Sequence, residues 1–201
     1  IRFEIMNYLA HAYLSFNHPD ILVGNMISDF VKGKKQFDYP LLIQKGIQLH
    51  RAIDTFTDQH PATKEGKQYF KPAVGSYAGA FMDIVYDHFL ALDTRELAES
   101  ASKDFSAQVY LHLSTQEHLL PENFARMLPF MTTYDWLYNY RFTWGIEHSF
   151  GGLVRRARYL TDASPAFTLF TKHYSELRQQ YDVFFPEVKK FALAQFDELV
   201  I

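Results

Sequence analysis

His50, Asp54 and Asp58 follow one another at four-residue steps in the stretch IQLHRAIDTFTDQHP, Ile47 to Pro61. In a helix such steps stack side chains on one face, and Ile43, Ile47, His50 and Asp54 form one line at intervals of four, three and four. The imidazole and the carboxylate thus continue a stripe that two isoleucines turn toward a core or a cleft. Three other apolar stretches carry the same anomaly. GAFMDIVYDHFLAL, Gly79 to Leu92, holds Asp83, Asp87 and His88, with His88 about 100° round the helix from Asp87. ILVGNMISDFVKG holds Asn25 and Asp29 four residues apart, and NYLAHAYLSF holds His11 alone.

A buried carboxylate without a partner is costly, so buried acids are paired, hydrogen-bonded or bound to metal. Four helices with the same misplaced groups are expected to converge on one polar site. Each residue also has a plainer explanation. His11 alone reads first as a satisfied core histidine, Asp29 could pair with Lys32, and Asp54 could pair with Arg51 or hydrogen-bond His50 along its own helix. Asp58, just before His60-Pro61, suits a turn or cap equally well, and Asp83 is evenly balanced.

Imidazole nitrogen and carboxylate oxygen together suit Mn²⁺, Fe²⁺ or Zn²⁺, and Mg²⁺ where carboxylates dominate. A metal held this way polarises a phosphoryl oxygen and acidifies a bound water, two demands of phosphoester hydrolysis, while a neighbouring His can protonate the leaving oxygen. Rival chemistries lack their motifs: the sequence has no phosphate-cradling loop followed by Lys-Ser/Thr, no GxSxG and no HExxH. It has no cysteine either, which removes disulfide scaffolds, thiolate metal sites and cysteine nucleophiles.

The elements that must position these groups read as helices throughout. Apolar residues recur at three and four, Asn-Gly and Asp-Gly hairpin turns are absent, and prolines mark helix starts near Pro19, Pro61, Pro121, Pro165 and Pro186. The expectation is an all-α fold of about seven to nine helices. The polar section 93–106 is short enough for a connection and a helix start, so one domain is expected over 6–201. Ile1 to Ile5 precede Met6 as a non-native leader would. With 201 residues, 48% of them hydrophobic, the chain can build one substantial core.

Net charge is −3 and the pI about 6.3, which argues against a nucleic-acid binder that neutralises many phosphates. No apolar run approaches the roughly 18 residues of a membrane span, and a cytoplasmic protein is the simplest expectation. Basic residues gather in two places, Lys32, Lys34 and Lys35 after Asp29, and Arg155, Arg156 and Arg158 late in the chain. Either group could be a solvated face or meet a phosphate or an acidic partner.

Taken together, MNYLAHAYLS, LVGNMISDFVKG, GIQLHRAIDTFTDQHP and DIVYDHFLALD closely resemble the acyl carrier protein phosphodiesterase family. DWLYNYR, GLVRRAR and HYSELRQQYDVFFPEV extend the resemblance more weakly to nearly the whole chain from Met6. The resemblance implies a cytoplasmic, Mn²⁺- or Mg²⁺-dependent hydrolase that removes 4′-phosphopantetheine from the serine of holo-acyl carrier protein. It also implies a helical fold like that of the His-Asp metal-dependent phosphohydrolases, although this sequence contains no His-Asp dipeptide, only the reversed Asp87-His88.

Carried over block by block, Asp29, His50, Asp54 and Asp87 resemble the metal set, with His88 a supporting group or general acid and His11 a further ligand or supporting group. Arg51 is suited to the phosphodiester, since guanidinium offers a fork of donors to phosphate oxygens. Lys32, Lys34 and Lys35, with Asn25, are the expected substrate or partner surface, because acyl carrier proteins are acidic and complementary charge speeds encounter. Two other readings compete: a metal-dependent phosphohydrolase of nucleotides or other small phosphoesters, and a non-catalytic helical module that binds an acidic protein.

Overall fold

The computed structural model describes residues 8–200; the expected start at Met6 lies outside them. The described residues form helices and turns with no strand, so the fold is all-α as the periodicity predicts. Eleven α-helices follow in order: α1 Tyr8–Tyr13, α2 Pro19–Ile27, α3 Leu41–Gln59, α4 Pro61–Val74, α5 Ala78–Leu92, α6 Glu99–Thr115, α7 Glu122–Thr133, α8 Trp136–Asn139, α9 Thr143–Arg156, α10 Ser164–Lys172 and α11 Tyr174–Val200. α1 and α8 are the shortest, of six and four residues.

Proline marks the starts of α2, α4, α7 and α10 as predicted. Pro186 is the exception, because it lies inside α11 rather than at a helix start. Proline removes one backbone donor, but Phe184, Phe185 and Val188 around it are buried, and that packing carries the helix past the gap. His60 ends α3 and caps α4, its Nδ1 accepting from the Ala62 N–H at 3.2 Å.

α5 runs through the middle of one contiguous hydrophobic core, buried on nearly every side, with α1, α4, α9 and α11 packed around it. α2 lies against α3 at backbone contact. A Cβ added at Gly24 would stand 2.1 Å from the Ile43 carbonyl oxygen, and one at Gly46 would stand 2.3 Å from that of Ile21. Only glycine permits this approach, which brings the end of α2 against the middle of α3. No helix of the described residues is long and apolar enough to cross a membrane.

Candidate metal centre

α1, α2 and α3 meet where their polar side chains were read from the sequence. The rings of His11 and His50 stack with centroids 3.9 Å apart and planes 18° apart. Asp54 lies one turn beyond His50 on α3, with Oδ1 3.3 Å from His11 Nε2 and Oδ2 3.3 Å from His50 Nε2. The turn Ser28–Phe30 that follows α2 adds Asp29, whose Oδ1 is 3.4 Å from His50 Nε2. Both imidazoles are buried, whereas the carboxylates of Asp29 and Asp54 are about a fifth to a quarter exposed, so the cluster opens on their side.

One residue orients both rings. Asn25 Oδ1 accepts from His11 Nδ1 at 2.7 Å, and the Asn25 main-chain carbonyl accepts from His50 Nδ1, also at 2.7 Å. The amide is turned so that its Nδ2 donates to the His11 carbonyl at 2.9 Å and to Ser15 Oγ at 3.1 Å. Both partners of Nδ1 can only accept, so each ring carries its proton there and presents the other nitrogen inward. Asn25 sits in the last turn of α2, where carbonyls run out of intrahelical donors, and His50 takes one of them.

The inward nitrogens, Nε2 of His11 and of His50, are buried and have no hydrogen-bond partner. In neutral rings these atoms are lone pairs facing carboxylate oxygens, an arrangement that repels unless a cation, proton or metal, sits between them. Burial drives the His50 imidazolium down, but the carboxylates of Asp54 and Asp29 outweigh it and push its pKa up to about 10. His11 is lowered, first by burial and then by the charge of His50, and Asp54 is drawn far below the usual carboxylate range by both imidazoles against the opposing effect of burial. His11, His50 and Asp54 each offer one ligand atom within 4.8 Å of the others, which fits a small divalent ion.

Other candidates go elsewhere. Asp87 turns to α1, where its two oxygens accept from the main-chain N–H groups of Leu9 at 3.0 Å and Ala10 at 2.8 Å. It fastens the helix that carries His11. His88 faces the opposite way, with Nδ1 2.7 Å from the Tyr140 carbonyl and Nε2 2.8 Å from the Tyr174 hydroxyl, so neither nitrogen is free to serve as an acid. On a helix buried all round, polar groups 100° apart find different partners. Arg51 donates to Gln36 Oε1 at 2.6 Å and to the Val31 carbonyl at 3.0 Å, pinning the chain just after Asp29 rather than reaching for a substrate.

Asn25, expected on a substrate or partner surface, is fully buried, and its role of orienting the ligands replaces that expectation. Lys32, Lys34 and Lys35 are exposed around the turn Gly33–Asp38. Asp58 pairs with Lys67 at 2.8 Å between α3 and α4. Asp83 lies within electrostatic reach of the centre: burial first, then the charge of Asp54, raises its carboxyl well above the ordinary range. The sequence clue to the glycine contact was present in two mid-helix glycines, one beside Asn25 and one four residues before His50.

Comparison with known proteins points the same way as the motifs. The chain is 30% identical over 192 residues to an acyl carrier protein phosphodiesterase of Klebsiella pneumoniae strain 342, covering 93% of this chain and 97% of that one. It is 30% identical over 186 residues to the protein of that name from Photorhabdus laumondii, covering 90% and 92%, and 29% identical over 188 residues to that of Yersinia pestis, covering 93% and 97%. No solved structure matches the chain. The family model for acyl carrier protein phosphodiesterase matches residues 6–188, and the chain belongs to that family.

Proposed function

We propose that this protein is a divalent-metal-dependent phosphodiesterase that hydrolyses the bond between 4′-phosphopantetheine and the serine of holo-acyl carrier protein, leaving the apo form. The observation that carries the metal is the pair of buried, partnerless Nε2 atoms aimed at shared carboxylates. The substrate rests on the family and on relatives that carry that name.

His11, His50 and Asp54 would hold the ion, with Asp29 as a further oxygen donor. Two nitrogens and carboxylate oxygens form a borderline set that suits Mn²⁺ better than Mg²⁺. A divalent ion bound here supplies Lewis-acid polarisation of a phosphoryl oxygen and brings the pKa of a coordinated water toward neutrality. The chain's own part is positioning. Asn25 keeps both Nδ1 protons in place and both Nε2 lone pairs available, while Asp87 anchors α1 through Leu9 and Ala10. Arg51, through Val31 and Gln36, steadies the turn from which Asp29 reaches in. The exposed edge at Asp29 and Asp54 leaves the side on which a phosphodiester can approach.

The test is to incubate the purified protein with holo-acyl carrier protein and Mn²⁺ and follow both products by mass spectrometry. Release of 4′-phosphopantetheine with formation of the apo form, abolished by chelator and restored by Mn²⁺, is the expected result. Turnover of nucleotides with the carrier protein left intact would refute the substrate assignment.

A further inference from the structure

Both tryptophans of the chain, Trp136 and Trp144, lie in one groove of about 1110 Å³ formed by α7, α8 and α9. Three aromatic rings of the same groove are widely open to solvent, Phe130 at 60%, Tyr134 at 62% and Trp144 at 48%. Rings of this size normally find cover, and an exposed group of them marks a surface that something else covers. Arg155 and Arg156 stand exposed on the same groove. The arginines with ion pairs among the described residues are Arg95, Arg126, Arg141 and Arg178, so these two guanidinium groups are uncommitted. The dipole at the C-terminal end of α9 favours cations there, but it gives no account of the open rings beside them. Trp, Tyr and Arg are the residue types that dominate the centres of protein interfaces.

The groove reaches α1, the helix that carries His11. Tyr8, on its floor, is one turn before His11 on α1, and its ring packs edge-on to Phe124 of α7 with centroids 6.2 Å apart. Phe30, the neighbour of Asp29, packs against that same Phe124 ring at 5.4 Å.

We propose that this groove docks the protein substrate, seating an acidic face of the carrier protein so that its phosphodiester reaches His11, His50 and Asp54. The proposal rests on the function given above. A protein substrate must touch this chain well beyond one phosphate, and the groove is an open aromatic surface whose floor lies one turn of α1 from His11. Because the chain carries a net charge of −3, an acidic partner needs a local cluster of cations to approach it, and Arg155 and Arg156 provide one.

The test uses the full-length protein and the apo form of an acyl carrier protein that lacks tryptophan. The apo form has no diester, so binding is read apart from turnover. Since every tryptophan of this chain lies in the groove, intrinsic fluorescence reports occupancy there directly. A saturable change is expected, weakened by added salt and by about tenfold in an Arg155→Glu/Arg156→Glu double variant. Lys64→Glu/Lys71→Glu, at two exposed lysines of α4 outside the groove, should stay within about twofold of wild type. Hydrolysis of bis(p-nitrophenyl) phosphate with Mn²⁺ should be equal in all three proteins, which verifies that the centre is intact. Equal affinity in the arginine double variant, no fluorescence change on adding apo carrier protein, or a response only to free pantetheine would each overturn the docking site. Failure of the functional reading is separate, since it shows as holo-carrier protein left uncut by wild type.

Discussion

Asn25→Leu removes the side chain that orients His11 while filling nearly the same volume. The His11 Nδ1–H loses its acceptor at 2.7 Å, and two donated bonds, to the His11 carbonyl and to Ser15 Oγ, disappear with the amide. An orphaned buried donor costs about 1–3 kcal/mol and each lost bond about 1 kcal/mol, so the metal-free protein should lose roughly 3–5 kcal/mol of stability. The carbonyl is partly spared, because Ser15 Oγ also donates to it at 2.8 Å.

The effect on metal has a different origin. Without an acceptor at Nδ1, nothing selects the tautomer that leaves Nε2 bare, and the loss of such an orienting partner lowers metal affinity about 10–100-fold. Asn25→Asp keeps an acceptor facing Nδ1 and should hold affinity within about tenfold of wild type. Calorimetric titration with Mn²⁺ gives the affinity, thermal unfolding in chelator gives the stability, and imidazole ¹⁵N shifts report which nitrogen of His11 is protonated. A folded Asn25→Leu variant with wild-type Mn²⁺ affinity would refute the reasoning, whatever its stability.

Asp54→Ala should abolish Mn²⁺ binding and lower turnover at least about a thousandfold while circular dichroism stays helical, since Asp54 is partly exposed and faces both imidazoles. Asp87→Ala should instead show first as instability, a loss of about 2–4 kcal/mol in denaturant melts from two buried N–H groups left without their acceptor. The folded His50 holds its proton more tightly than an unfolded one, so its contribution is complete below pH 6.5 and vanishes as pH rises toward about 10. Melting temperature in chelator should therefore fall between those values, and His50→Gln or saturating Mn²⁺ should flatten the slope. Gly24→Ala places a methyl group 2.1 Å from the Ile43 carbonyl oxygen, so α2 and α3 must part by about 1 Å. Thermal melts should show a loss of about 1–3 kcal/mol, and Mn²⁺ titration should show weakened binding as His50 loses the Asn25 carbonyl.

Periodicity carried far because the centre is built on helix faces. His50 and Asp54 continue the line of Ile43 and Ile47, and a side chain on a core stripe must point inward whatever it is made of. The same rule loses its power on α5, where Ile84, Val85, Tyr86, Phe89 and Leu90 are all buried around Asp87 and His88. When every face is a core face, the pattern says that a polar side chain is enclosed but not which neighbour encloses it. The neighbours here are the N-terminal turn of α1 on one side and Tyr140 and Tyr174 on the other, groups 52 to 86 residues away along the chain. The partners of Arg51 are hidden from the pattern for a related reason: it stands one residue off the stripe and reaches Val31 and Gln36, a partnership set by how the loop after Asp29 folds back.

The least visible bond in the sequence is the one from His50 to the Asn25 carbonyl. Any residue at position 25 supplies a main-chain oxygen, so no side-chain pattern can announce it. What makes the oxygen available is the close approach of α2 and α3, and that approach does leave a trace, a glycine in each helix where a Cβ would strike the other backbone. Gly24 and Gly46 therefore belong to the centre as much as its ligands do: they set the distance over which a carbonyl fixes the tautomer, and the tautomer decides whether His50 presents a lone pair or a proton.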